Sequence, residues 1–97
     1  MCTLRRATNK DISAIGKLWN ALVLEENPTA HPLVNQWCDI QKQMFQLKNY
    51  FVFVIEKDGQ VVGFNNGVFL TDMETSEPYI EGGNFYVLPE YRNGPGH

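Results

Sequence analysis

The apolar run Phe85-Tyr86-Val87-Leu88 stops at Pro89, and this stop constrains the chain more than any other feature. A proline cannot donate to a sheet ladder, so a strand arriving there must end. Arg92 follows, and then the turn Asn93-Gly94-Pro95-Gly96-His97. Backbone N–H groups of a glycine-rich turn can converge on an anion, and a neighbouring cation strengthens the pull. Pro95 removes one N–H from that cradle. The stretch therefore predicts a sheet strand that runs directly into an anion-holding loop.

The chain upstream supplies the rest of a fold. Thr3 to Ala7 reads as a short first strand anchored by Leu4. Thr8-x-x-Asp11 is a capping-box start with the acid on the favourable end of the helix dipole. Ile12, Ile15, Leu18, Trp19, Leu22 and Val23 then recur at helical spacing until Asn27-Pro28 closes the helix. Pro32 fits the first position of a second helix, in which Leu33, Trp37, Ile40, Met44 and Leu47 form an apolar stripe read as core packing and Gln36, Asp39, Gln41, Lys42, Gln43 and Gln46 fill the other faces. Tyr50 to Ile55 is a β-branched and aromatic run, consistent with a strand buried on both faces. Lys57-Asp58-Gly59 is a hairpin turn, and Gln60 to Leu70 returns with Val62, Phe64, Val68 and Leu70 on one face. Gly63 and Gly67 mark close approach or bulging. Thr71 to Pro78 is an acidic loop, read as a solvated connector with amine binding as the rival. Tyr79 to Leu88 is the last strand.

Composition narrows the function classes. Ninety-seven residues allow one domain with a modest core, and 43% apolar with 20% charged residues is globular rather than disordered. A net charge of −3 gives no basic footprint, so nucleic acid and anionic membrane surfaces are not expected partners. No apolar run approaches membrane-spanning length, and Met1 to Arg6 is not followed by the apolar run of a leader. Cys2, Cys38, His31 and His97 are scattered, so no metal site is spelled out. Cys38 falls in the helical apolar pattern as a structural thiol, and two free thiols suit a cytoplasmic location.

Val87-Leu88-Pro89-Glu90-Tyr91-Arg92, ending a strand and leading into Gly94-Pro95-Gly96, resembles the acyl-CoA signature of the GNAT superfamily of N-acetyltransferases. The opening Leu4-Arg5-x-Ala7-Thr8-x-x-Asp11-Ile12 is similar to the usual start of that domain. The match departs in one place: the family spacing is Arg-x-x-Gly-x-Gly, and Gly94 and Gly96 stand one residue early. The resemblance implies an α+β fold with an antiparallel sheet of about four strands and two helices, lacking the C-terminal part of the acyl-CoA N-acyltransferase fold. Residues 1–97 would then be a single, incomplete domain. Its activity would be N-acetyl transfer from acetyl-CoA to a primary amine of a small molecule or protein. The alternative is a non-catalytic or truncated module of the same fold that self-associates through the open sheet edge or is completed by a partner chain. Whether the chain alone is an enzyme stays open.

The resemblance also implies site residues. Arg92, Asn93, Gly94, Gly96 and His97 would hold the pyrophosphate. The main chain of Phe85, Tyr86, Val87 and Leu88, kinked by a bulge, would pair with the pantetheine arm. Glu81 is the only carboxylate within the strand, and some members use a glutamate here as general base; a solvent-facing strand glutamate is the competing reading. Simple alternation places Glu81 with Gly83, Phe85 and Val87, an arrangement a bulge would disturb. Asn84 and Tyr86, on the other alternation, would orient an acceptor or lie on the surface. Glu25, Glu26 and His31 would contact substrate, or be solvated loop residues. Tyr79-Ile80-Glu81-Gly82 is similar to a stretch of the superfamily's aminoglycoside acetyltransferases, too short to assign an acceptor.

Overall fold

A computed structural model describes residues 2–92. Asn93, Gly94, Gly96 and His97, all assigned above to the anion loop, lie outside the described residues. The elements run β1 (Cys2–Arg6), α1 (Ile12–Glu26), α2 (Val34–Met44), β2 (Tyr50–Lys57), β3 (Gln60–Thr71) and β4 (Pro78–Val87). Single 3-10 turns, Asn9–Asp11 and Pro89–Tyr91, precede α1 and follow β4. The strands form one antiparallel sheet in the order β1-β2-β3-β4. This is the expected α+β architecture.

The start of α1 is clamped to the sheet. Asp11 accepts the Thr8 N–H at 2.7 Å, the return half of the capping box. The same carboxylate takes a two-pronged hydrogen bond from Arg5, 2.9 Å on each side, and Arg5 also reaches Glu56 at 3.3 Å. Arg5 of β1, set between Glu56 of β2 and the buried Asp11, thus ties both strands to the turn that starts α1. The Arg5 guanidinium holds the Asp11 carboxyl down to about 2, with the Thr8 N–H assisting against the cost of burial. At the other end of α1 the Asn27 N–H closes on Val23, as the Asn27-Pro28 stop predicts.

The core lies between the helices and one face of the sheet. Val54, Val62 and Phe64 are fully buried, each contributing about 1.5–3 kcal/mol relative to exposure. Trp19 of α1 and Trp37 of α2 stack at 5.0 Å, and Trp37 meets Phe64 edge-on. Gly16 lets the helices touch: a Cβ there would lie 2.5 Å from Cys38 Sγ. Burial pushes that thiol's pKa up, in keeping with a structural role.

The second helix differs from its predicted form. It begins at Val34, not Pro32, because Leu33 keeps a non-helical backbone (φ −91°, ψ 74°) and serves as the N-cap. Trp37 and Met44 pack on the core as expected, but Leu33, Ile40 and Leu47 turn outward. Gln41, placed on the outer face from its polarity, is buried instead. The inner face of the helix is set by where Trp37 and Phe45 find partners, and Gln41 is tolerated there because the Tyr50 hydroxyl donates to its Oε1.

The hairpin is as predicted. Asp58 and Gly59 have φ of 53° and 81°, the left-handed pair of a two-residue type I′ loop. Gly63 and Gly67 are places of close approach: a Cβ at Gly63 would stand 3.0 Å from the Tyr86 carbonyl oxygen, and one at Gly67 would enter the Phe51 ring. In the acidic loop the Asp72 carboxylate accepts the Glu74 and Thr75 N–H groups, so that acid holds its own turn. The sheet face away from the helices carries Leu4, Phe69, Ile80 and Phe85, exposed by 69, 45, 59 and 64%, and no described element covers it.

Asp11 makes stability pH-dependent with a definite sign. Its folded pKa lies below the unfolded one, so its contribution is complete above about pH 4 and fades as pH falls toward 2. Asp11→Asn is expected to cost on the order of 2 kcal/mol at neutral pH. The difference in thermal midpoint between wild type and variant should shrink from pH 5 to pH 2.5, about where the carboxyl titrates. A difference that stays constant over that range would contradict the clamp.

Candidate functional site

The site is built on β4, the strand at the end of the sheet order. The Leu88 N–H donates to the Val62 carbonyl at 2.9 Å, which makes Val87 opposite Gly63 a non-hydrogen-bonded pair. The N–H and C=O of Val87, and two residues back those of Phe85, therefore point to the free edge. Those of Tyr86 and Leu88 turn inward to β3. Of the four residues whose main chain the resemblance assigned to an added strand, Phe85 and Val87 present the open edge. The Val87 carbonyl shows this directly, because Arg92 Nε donates to it at 2.7 Å.

Halfway along β4 the register breaks. Asn65 pairs with Phe85 but Gly67 pairs with Gly82, so β4 carries one extra residue opposite Asn66, a β-bulge at Gly83–Asn84. The bulge shifts the alternation by one. Glu81 pairs with Val68 and Tyr86 with Phe64, which puts Glu81 on the helix side with Tyr86; simple alternation would have put it with Phe85. Tyr86 is not a surface residue but part of the core. Its hydroxyl sits at the core's rim, donating to Glu25 Oε2 at 3.0 Å.

Two clefts flank the bulge. The larger, about 640 Å³, is lined by Leu22, Glu25 and Glu26 of α1, Phe85, Tyr86 and Val87 of β4, and Tyr91 and Arg92 beyond it, among others. Arg92 closes one side, with Nη2 2.7 Å from Glu25 Oε2 and the guanidinium 5.1 Å above the Tyr86 ring. Arg92 first, and then the Tyr86 hydroxyl, hold the Glu25 carboxyl below its usual range. Burial first, and then the neighbouring Glu25, push the Tyr86 phenol up. At neutral pH this group is carboxylate, phenol and guanidinium. The smaller cleft, about 320 Å³, is lined by Glu81, Gly83 and Asn84 facing Trp37, Gln41, Tyr50 and Asn66. His31 lines neither cleft. No cluster of metal-ligating side chains occurs among the described residues, and no described helix is long and apolar enough to cross a membrane.

Sequence reasoning missed the polar group behind the smaller cleft. Asn66 Nδ2 donates to the Tyr50 hydroxyl at 2.9 Å, and Tyr50 donates to Gln41. Asn66 Oδ1 accepts the Asn84 N–H at 2.6 Å. One signal was present: an asparagine on the Val62-Phe64-Val68 face of a central strand is an unusual residue to bury.

The sequence model of the Acetyltransferase (GNAT) family matches residues 15–94. No curated protein matches the sequence. Among solved structures, a GNAT family acetyltransferase of Staphylococcus aureus superposes with a TM-score of 0.76 at 18% identity, covering 94% of this chain and 65% of that one. A predicted acetyltransferase of Clostridium acetobutylicum, solved with acetyl-CoA, gives 0.77 at 17% identity over 99% and 65%. The aminoglycoside 6′-N-acetyltransferase AAC(6′)-Ih of Acinetobacter baumannii gives 0.72 at 14% identity over 95% and 60%. The chain thus spans 60–65% of the length of these structures, and they share its fold. With a strand broken by a bulge, an open edge and a family match across four-fifths of its residues, this chain belongs to the acetyltransferase (GNAT) family.

Proposed function

We propose that this chain carries the acyl-donor side of an N-acetyltransferase that moves an acetyl group from acetyl-CoA to a primary amine. The observation that carries the reading is the open edge of β4, where the N–H and C=O groups of Phe85 and Val87 face a cleft closed by Arg92. These residues fit the cosubstrate. Its pantetheine arm contains amides able to pair with an open edge as an added strand, and its pyrophosphate suits a cation beside a glycine-rich turn. Acetyl-CoA supplies an acyl group already activated as a thioester.

The chain's own residues orient and balance charge. Phe85 and Val87 hold the arm in register, and Arg92, with Asn93, Gly94, Gly96 and His97, receives the phosphates. Arg92 must release the Val87 carbonyl and exchange Glu25 for phosphate to do so. Their ion pair is partly exposed, and a screened pair of this kind is readily exchanged. Glu81, on the helix side of the bulge, accepts the proton of the incoming amine, directly or through water. An amine acceptor, whether small molecule or protein, is supported by the aminoglycoside acetyltransferases that share the fold.

Calorimetric titration of acetyl-CoA into the protein tests this reading. Binding on the order of micromolar is expected, weakened about tenfold in Arg92→Ala. No heat from a folded protein would overturn it.

A second reading is favoured by the uncovered sheet face. With Leu4, Phe69, Ile80 and Phe85 exposed beside an unpaired edge, the chain works as part of a larger assembly, pairing with a copy of itself or a partner chain. Light scattering on the 97-residue polypeptide should show a mass that rises with concentration. A monomer at every concentration would remove this reading.

A further inference from the structure

The bulge in β4 needs a cause, because β4 alone does not place it. Gly82 and Gly83 are adjacent, and two glycines offer little resistance to a one-residue slip of the strand on either side of them, which would remove the bulge. A slip of the half before it moves Glu81 to the other face of the sheet, and a slip of the half after it exchanges which N–H and C=O groups face the open edge. Something outside the strand must select one register.

Asn66 stands opposite the extra residue, is buried, and has both ends of its amide engaged. Its Oδ1 takes the Asn84 N–H, a donor that a regular ladder would give to a backbone carbonyl of β3. Its Nδ2 is held by Tyr50, which is held in turn by Gln41, so the amide cannot turn over without losing partners. Gly83 completes the fit: any Cβ there would lie 2.4 Å from Asn66 Oδ1. We propose that Asn66 is a positioning residue that pins the β4 bulge at Gly83–Asn84, thereby presenting Phe85 and Val87 at the acyl-donor edge and Glu81 on the acceptor side. The functional half of this statement rests on the acetyl-CoA reading above; the pin itself does not.

Site-resolved amide hydrogen exchange in wild type and three variants tests it, with acetyl-CoA affinity measured in parallel. Asn66→Ala should speed exchange at Asn84 about tenfold relative to Tyr86, whose N–H faces β3 without help from Asn66. Asn66→Asp keeps an acceptor for Asn84, with Tyr50 and Gln41 reversing their donation, and should keep the wild-type ratio. Tyr50→Phe retains the ring but frees the Asn66 amide, so the ratio should rise by about threefold; it carries the test if Asn66→Ala does not fold. Acetyl-CoA affinity should fall about tenfold in Asn66→Ala and stay within about threefold in Asn66→Asp. Equal acceleration at Asn84 and Tyr86 would mean general destabilisation and would overturn the pin, even with acetyl-CoA still bound. The expected exchange pattern in a protein that binds no acetyl-CoA would uphold the pin and overturn the functional reading instead.

Discussion

The hydrogen bond from the Asn84 N–H to the buried Asn66 side chain is the interaction on which the working half of this molecule turns. A polar side chain under two helices is costly unless its donors and acceptors find partners. Here Tyr50, Gln41 and the bulged backbone supply them. The arrangement converts a residue that would weaken an ordinary core into a local instruction about register. Because side chains alternate with a period of two, a shift of one residue reassigns every group along half a strand. A single buried amide therefore governs the faces presented by Glu81, Phe85, Tyr86 and Val87 together.

The ends of the elements are held by charge rather than by packing. Arg5 and Asp11 fasten the start of α1 to β1, with the acid well below its ordinary pKa. Glu25 and Arg92 join the end of α1 to the turn after β4. The two pairs differ in what surrounds them. Asp11 is buried and accepts several hydrogen bonds, so its pair is a fixture. Glu25 and Arg92 are partly exposed, so water and ions compete for them. A permanent pair at the front of the helix and an exchangeable one at the back are what the proposed transfer of Arg92 from Glu25 to phosphate would require.

Much of the architecture was legible because local rules and global packing agree. The Thr8-x-x-Asp11 box, the Asn27-Pro28 stop, the Asp58-Gly59 turn and the Pro89 terminus each mark a boundary by backbone chemistry, and each appears where it was read. Gly63 and Gly67 were legible as contact points for the same reason. The second helix was less so: its polarity pattern named Ile40 and Leu47 as inner and Gln41 as outer, and the packing reversed them. An 11-residue helix is rotated by its largest partners, and here the Trp19–Trp37 stack decides the rotation. Of the candidate site residues, Glu81, Phe85, Val87 and Arg92 were named from the strand and its signature, while Tyr50 was read only as part of a buried strand and Asn66 was not singled out.

By itself the sequence determined the order of the elements, the turns between them and the family, because capping residues, glycine turns and proline stops act through the few residues around them. Tertiary structure alone decided which face of β4 bears Glu81, which amides reach the open edge, and that Arg92 meets Glu25, its partner 67 residues away. These depend on a bulge whose place is chosen by a side chain 18 residues distant in sequence. No local pattern can specify a contact of that range, since it exists only once β3 and β4 have paired.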